Sequence, residues 1–186
     1  SEPNFGAYLK ERKKWGKTQL DFILWPALKD SFSRNSHRHV QVVKLLHRLL
    51  PTAKYRQKFE NSPNPECSLC HNGDEDWTHV LWCLHPSRQN WQNKVLVTAL
   101  RLTCKKYLTR EALVSILIDG LHDWLHYTTI NAKDYPAVLP SLIQEQNSLG
   151  WGAHLHGFWS SRWAQLQDAH LKTAQQYSHD NNSTIM

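Results

Sequence analysis

Long apolar runs are missing from this chain of 186 residues. A helix that crosses a bilayer needs about 18 or more consecutive apolar residues, whereas stretches such as residues 22–25 last about one turn. No membrane span is expected. A basic segment followed by an apolar core is also absent from the start, which reads Ser1-Glu2-Pro3, so no secretory signal is read there. Methionine occurs once, at Met186, and the missing initiator points to a piece of a longer polypeptide. With 7 Gly and 8 Pro, collagen-like and low-complexity classes are excluded. The 40% apolar and 20% charged residues fit one packed domain, or one domain carrying a small module.

The net charge of +6 conceals an asymmetry. Residues 1–60 hold 13 Lys/Arg against 5 Asp/Glu, while residues 61–186 hold 9 against 11. All the excess positive charge therefore lies in the first third, most densely over residues 10–17. A one-sided basic surplus suits a polyanion, because each cation at a phosphate releases condensed counterions. Without a partner, the same charge is a solvated face.

Four cysteines stand at positions 67, 70, 83 and 104, and three of them cluster. In a chain read as intracellular, clustered cysteines bind metal more often than they pair. The segment is Cys67-x2-Cys70, eight residues, then His79-x3-Cys83. Cys-x2-Cys suits a tight turn that aims two thiolates at one ion, and Asn72-Gly73 supplies the reversal beyond it. His79 and Cys83, four apart, share one face of a helix and close a tetrahedron from the other side. Four protein ligands leave no open position, so the expected cofactor is one structural Zn²⁺. Three thiolates and a neutral imidazole around it lower the formal charge by one. His71 and His85 are rival ligands, less well placed because they adjoin the cysteines. Cys104 reads as a small buried apolar residue.

Helical periodicity dominates the rest. Apolar positions from Val40 to Leu50, capped by Ser36, recur at three and four residues until Pro51 stops them. Leu20, Ile23 and Leu24 precede Pro26. Residues 86–103, with Ser87 as cap, form another stripe; one begins at Thr109 and runs through Trp124; two more cover residues 136–149 and 158–177. The fold class is accordingly all-α, a helical bundle with an inserted CCHC zinc knuckle. The organisation expected is a basic N-terminal segment at 1–35, a helical zinc-binding domain at 36–177 with the knuckle at 64–92, and a flexible polar tail at 178–186.

Taken together, Lys44-Leu-Leu-His47-Arg-Leu-Leu-Pro51-Thr52, the Cys67/Cys70/His79/Cys83 motif with Trp77 and Trp82, and Trp91 resemble the zinc-binding region downstream of the polymerase in non-LTR retrotransposon reverse transcriptases. The stretches beginning Glu145-Gln146 and Gly157-Phe158-Trp159 are similar to the segment that trails this motif, so the resemblance covers about residues 40–170. It implies a module that binds template RNA or target DNA beside a reverse transcriptase, with Cys67, Cys70, His79 and Cys83 as metal ligands. It also implies contact with other domains of such a parent.

Departures from a whole element protein set limits. No Tyr/Phe-x-Asp-Asp occurs, so the carboxylates of two-metal polymerisation are missing. The Pro-Asp and Glu/Asp-x-Lys of a restriction-type nuclease, the Gly-x-Ser-x-Gly elbow and a phosphate-cradling Gly-rich loop are missing too. His122-Asp123-Trp-Leu-His126 imitates a metalloprotease helix but has a shorter acid and no third ligand, so these His are read as flanking Trp124. The chain is therefore expected to bind, not to catalyse. Lys10, Arg12, Lys13, Lys14 and Lys17 are the expected phosphate contacts, with Arg38, Lys44 and Arg48 on the next helix. Trp124, Trp159 and Trp163 are expected in the core; of Trp77 and Trp82, one is expected against the metal-organised turn and the other exposed. Intracellular, nuclear residence follows from this reading. The alternative is a protein-docking module in which zinc is purely a staple.

Overall fold

The three- and four-residue spacing of apolar positions is realised as helices in the computed structural model, which describes residues 5–60 and 64–183. Helices α1 (Phe5–Lys13), α2 (Lys17–Phe22) and α3 (Trp25–Arg34) make up the basic third, and α4 (His39–Leu46) and α5 (Ala53–Phe59) lead into the cysteine-rich segment. Beyond it come α6 (Trp77–Trp82), α7 (Pro86–Asn90), a π-helical stretch at Trp91–Leu96, and α8 (Val97–Lys106). The chain closes with α9 (Glu111–Leu125), α10 (Pro140–Leu149), a 3₁₀ turn at Trp151–His156 and α11 (Ser161–Ser183). Extended pairing among the described residues is confined to two isolated bridges, Ile23 with Ser160 and Glu66 with Asp74. The fold is all-α, and no described helix is long and apolar enough to cross a membrane.

Two apolar cores organise these helices. In the larger one, Leu113, Ile116 and Leu121 of α9 meet Leu142 and Ile143 of α10, with Trp151 and Trp163 filling the space between. The second joins opposite ends of the chain: Leu9, Trp15, Ile23 and Leu28 pack on Leu149, Ala153 and Phe158. Burying each of these Leu, Ile and Phe side chains stabilises the fold by about 1.5–3 kcal/mol. Polar bonds fasten the same seam, since Leu24 N–H donates to the Trp159 carbonyl at 2.8 Å and Gln19 Nε2 to Ser148 Oγ at 3.0 Å. The basic third is thus a structural layer of the domain and not a loose arm.

A buried polar knot holds α10 to α11. Gln146 is fully buried, and its Oε1 accepts from the Ser160 backbone N–H at 3.1 Å and from Trp163 Nε1 at 3.2 Å. Next to it, Glu145 accepts from Arg162 Nη2 at 3.0 Å and from the Ser160 hydroxyl. Each buried polar atom named here finds a partner, which is what makes its burial tolerable.

Several boundaries differ from the periodicity. The helix expected from Ser36 to Pro51 is a 3₁₀ turn at Ser36–Arg38 followed by α4, which stops at Leu46. There Arg48 takes a left-handed φ of 58° and Leu49 N–H bonds the Lys44 carbonyl at 2.7 Å, a closure that glycine normally signals. Leu108 (φ 52°) and Tyr127 (φ 59°) end α8 and α9 in the same way. The cap before Pro86 is His85 and not Ser87: its Nδ1 accepts from Ser87 N–H at 3.3 Å. The stripe beyond is not one helix: the chain widens into the π stretch at Trp91–Leu96, within which buried Gln92 donates to the Leu81 carbonyl. Residues 136–139 form a turn before α10, and Phe158 and Trp159 precede α11, which continues to Ser183 through much of the expected flexible tail. Residues 184–186, and 61–63 of the expected linker, lie outside the described residues.

Two predictions follow from this packing. A Cβ on Gly120 would lie 2.3 Å from the Trp151 ring, so Gly120→Ala is expected to destabilise by about 1–3 kcal/mol in urea titration. His154 is buried between Trp151, Trp159 and Trp163 with neither ring nitrogen hydrogen-bonded, and burial pulls its pKa down to about 3. The unfolded chain protonates this residue near 6.5 and the folded chain only near 3, so stability is lost as pH falls through that window. His154→Phe is expected to make the acid limb of the stability–pH profile shallower than in the parent chain, because the ionisation that penalises the folded state at low pH is gone.

Candidate metal centre

The knuckle is built from backbone turns that converge on four side chains. Glu75 N–H bonds the Pro65 carbonyl at 2.7 Å and Cys67 N–H the Gly73 carbonyl at 3.0 Å, folding residues 65–75 into a closed loop. His71 and Gly73 both take left-handed φ values, 52° and 96°, so the reversal expected at Asn72-Gly73 is present. Thr52 caps α5, and Glu75 ties that helix to the knuckle by accepting from Ala53 N–H and offering its carbonyl to Lys54 N–H. On the other side, Asp76 caps α6 through a 2.8 Å bond from His79 N–H, which fixes the helix that carries the histidine.

Cys67, Cys70, His79 and Cys83 place their ligand atoms within 4.8 Å of one another, and the cysteines are unpaired. Cys67 Sγ lies 3.9 Å from Cys83 Sγ, and Cys70 Sγ lies 3.2 Å from His79 Nε2. Around Zn²⁺, thiolates bound at about 2.3 Å stand roughly 3.8 Å apart, so the spacing fits a tetrahedron. Three soft thiols and one imidazole are the donor set of a structural zinc site, and the four residues would hold one such ion. Cys67 and Cys83 are almost wholly buried, at 1% and 2% exposure, while Cys70 and His79 are partly buried. Burial acts against the Cys67 thiolate, yet the backbone amides of Cys70 and Leu69, with the Cys70 and His79 side chains, outweigh it and bring the pKa to about 7. Burial pushes Cys83 up.

One detail departs from the expected geometry. Cys83 is not on the helix with His79: α6 ends at Trp82, and Cys83 follows in extended conformation. The rivals are also placed elsewhere. His71 is exposed, 3.7 Å from Glu66, and His85 caps α7. Cys104 is half-buried against the larger core, and burial raises its pKa.

The tryptophans of α6 dock this small module on the bundle. Trp77 packs on His156 at 5.4 Å between ring centroids, and Trp82 on Trp124 and Tyr127 at 5.2 and 4.4 Å. Both are half-buried, so neither takes the exposed position expected for one of them. Trp163 is buried as expected; Trp124 and Trp159 flank the core, half-exposed. His122 and His126 stack on each other at 4.1 Å at the exposed end of α9, flanking Trp124.

The expected phosphate contacts separate into two groups. Arg12, Lys13 and Arg48 line one cleft, and Arg48 is shared with two adjoining ones. Lys10, Lys14, Lys17, Arg38 and Lys44 are exposed and lie outside those linings. Lys13 is half-buried, its Nζ 5.8 Å from the Trp15 ring and 5.9 Å from Phe158; burial, then Arg48, lower its pKa to about 8. Two further cations outside the expected set, Lys54 and Lys58, border the third cleft with Arg48, alongside Asp76, and Lys54 pairs with Asp74 at 3.0 Å; the Thr52 cap after Pro51 marked their helix.

The chain matches no protein-family model, no curated protein and no solved structure.

The site makes a direct prediction. The purified chain is expected to carry one zinc per molecule by mass spectrometry of metals, and Cys70→Ser to lose it while Cys104→Ser keeps it. Metal binding in such sites contributes on the order of 10 kcal/mol to local folding. Hydrogen exchange in α5 and α6 is therefore expected to accelerate strongly in Cys70→Ser, with α9 to α11 still protected by the larger core. Zinc retained at one per chain in that variant would contradict the ligand assignment.

Proposed function

We propose that this protein is a zinc-organised nucleic-acid-binding module, akin to the region that follows the polymerase in non-LTR retrotransposon reverse transcriptases, and that it works by binding and not by catalysis. The observation that supports this most is the convergence of cations from separate stretches of chain around one place. Arg12 and Lys13 from α1, Arg48 beyond α4, and Lys58 from α5 line three adjoining clefts that share Arg48, two of them bordered by the zinc helix α6; Lys54, in the third, is paired with Asp74 at 3.0 Å. Exposed Lys10, Lys14 and Lys17 extend the same positive charge outward. In this reading zinc fixes α6 against α5 and the bundle, and the basic layer follows a phosphate backbone. RNA or DNA is the partner, beside other domains of a parent polypeptide, inside the cell and in the nucleus.

A docking role has one observation in its favour. Phe5, Trp25, Leu28 and Phe32 line an open, almost wholly apolar groove of about 740 Å³, a surface that suits protein contact.

Fluorescence anisotropy of labelled single-stranded RNA, single-stranded DNA and duplex DNA across a salt series separates the two. Binding is expected to fall steeply with salt, and Arg12→Glu with Lys14→Glu to weaken it on every sequence, lowering the logarithmic salt slope by about 0.7 to 0.9 per lost contact. These two are exposed, whereas Lys13 packs on aromatic rings and is a poor choice for charge reversal. Absence of binding at low salt would favour docking.

A further inference from the structure

Where α1, the turn after α4, α6 and the Trp151–His156 turn meet, the structure leaves a cleft of about 310 Å³. Its walls are rich in indole, with Trp15, Trp77, Trp82 and Trp124 all contributing. Its charged lining consists of Lys13 and Arg48, and no carboxylate among the described residues lines it. Two cations facing one cleft without a counter-charge repel each other, which is part of why the Lys13 ammonium is held less firmly protonated than usual. An anion between them removes that repulsion.

We propose that this cleft binds a single nucleotide unit, with its phosphate between Lys13 and Arg48 and its base against the half-buried indole rings of Trp77 and Trp82. This rests on the nucleic-acid reading above and makes it more specific. The volume lies at the small end of ligand pockets, about 300–1,000 Å³; it admits one nucleotide and excludes a duplex. Stacking on indole tolerates any base, and cations at the mouth select for phosphate, so the cleft grips a strand end or an unpaired nucleotide without reading sequence. An acidic peptide would satisfy the cations and leave the aromatic walls unused. A nucleotide uses both. Zinc enters this arrangement indirectly: Asp76 and His79 fix α6, and α6 carries two of the indoles.

The test uses the full zinc-loaded chain and its tryptophan emission. AMP and UMP are expected to quench saturably, while adenosine, uridine and inorganic phosphate each bind at least about tenfold more weakly, because each lacks half of the contacts. Arg48→Asn removes the charge with a residue that tolerates the left-handed φ, and Lys13→Met removes the other charge while keeping the apolar stem. Each is expected to weaken AMP about tenfold, with zinc content and circular dichroism unchanged. The proposal is overturned if AMP and UMP fail to quench, if both variants bind AMP as the parent does, or if hexaglutamate competes as well as AMP. A labelled 20-nucleotide single strand titrated in parallel separates the two ideas: if it still binds with a steep salt slope, only the cleft is lost, and if it does not, the nucleic-acid reading falls as well.

Discussion

The Trp151–His156 turn is the point on which the other parts of this protein depend. Trp151 fills the larger core, Ala153 belongs to the second, and His156 carries Trp77 of the zinc helix. A single turn of chain thus touches the bundle, the basic layer and the knuckle. Its geometry is set by glycine on both sides: Gly150 at φ 86° and Gly157 at φ 78°. Within it, Gly152 approaches the Trp124 ring so closely that a Cβ would stand 2.6 Å away. The neighbouring Gln146 and Asn147 fasten it by bonds to the Gly150 carbonyl and to Trp151 Nε1.

Zinc and packing play different parts. The four ligands organise residues 65–83, which are too few to bury a core of their own, as expected where small folds rely on metal. Packing then orients that unit, through Trp77 and Trp82, on surfaces supplied by α9 and the central turn. The metal decides that the knuckle exists, and the indoles decide where it points.

Much of this was legible in the sequence. The ligand spacing named all four residues that come together, because Cys-x2-Cys and a following histidine are local relations. Apolar periodicity found the bundle helices, since the 3.6-residue repeat is also local. Helix ends were harder to read. Arg48, Leu108 and Tyr127 occupy left-handed positions that glycine usually announces, and the π stretch contains Gln92, whose side chain bonds the distant Leu81 carbonyl. The cationic cleft was legible only as a list of charges. Lys13 and Arg48 lie 35 residues apart in the chain, and nothing in their local pattern shows that they line one cleft.

The second core has a consequence for synthesis of the chain. Leu9, Ile23 and Leu28 wait for Leu149 and Phe158, more than 120 residues downstream. At about 5–20 residues per second, a ribosome needs roughly 6–24 s to deliver those partners. The knuckle closes over only 17 residues, from Cys67 to Cys83, and is complete far earlier. All four ligands are therefore synthesised long before the central turn arrives to complete the second core.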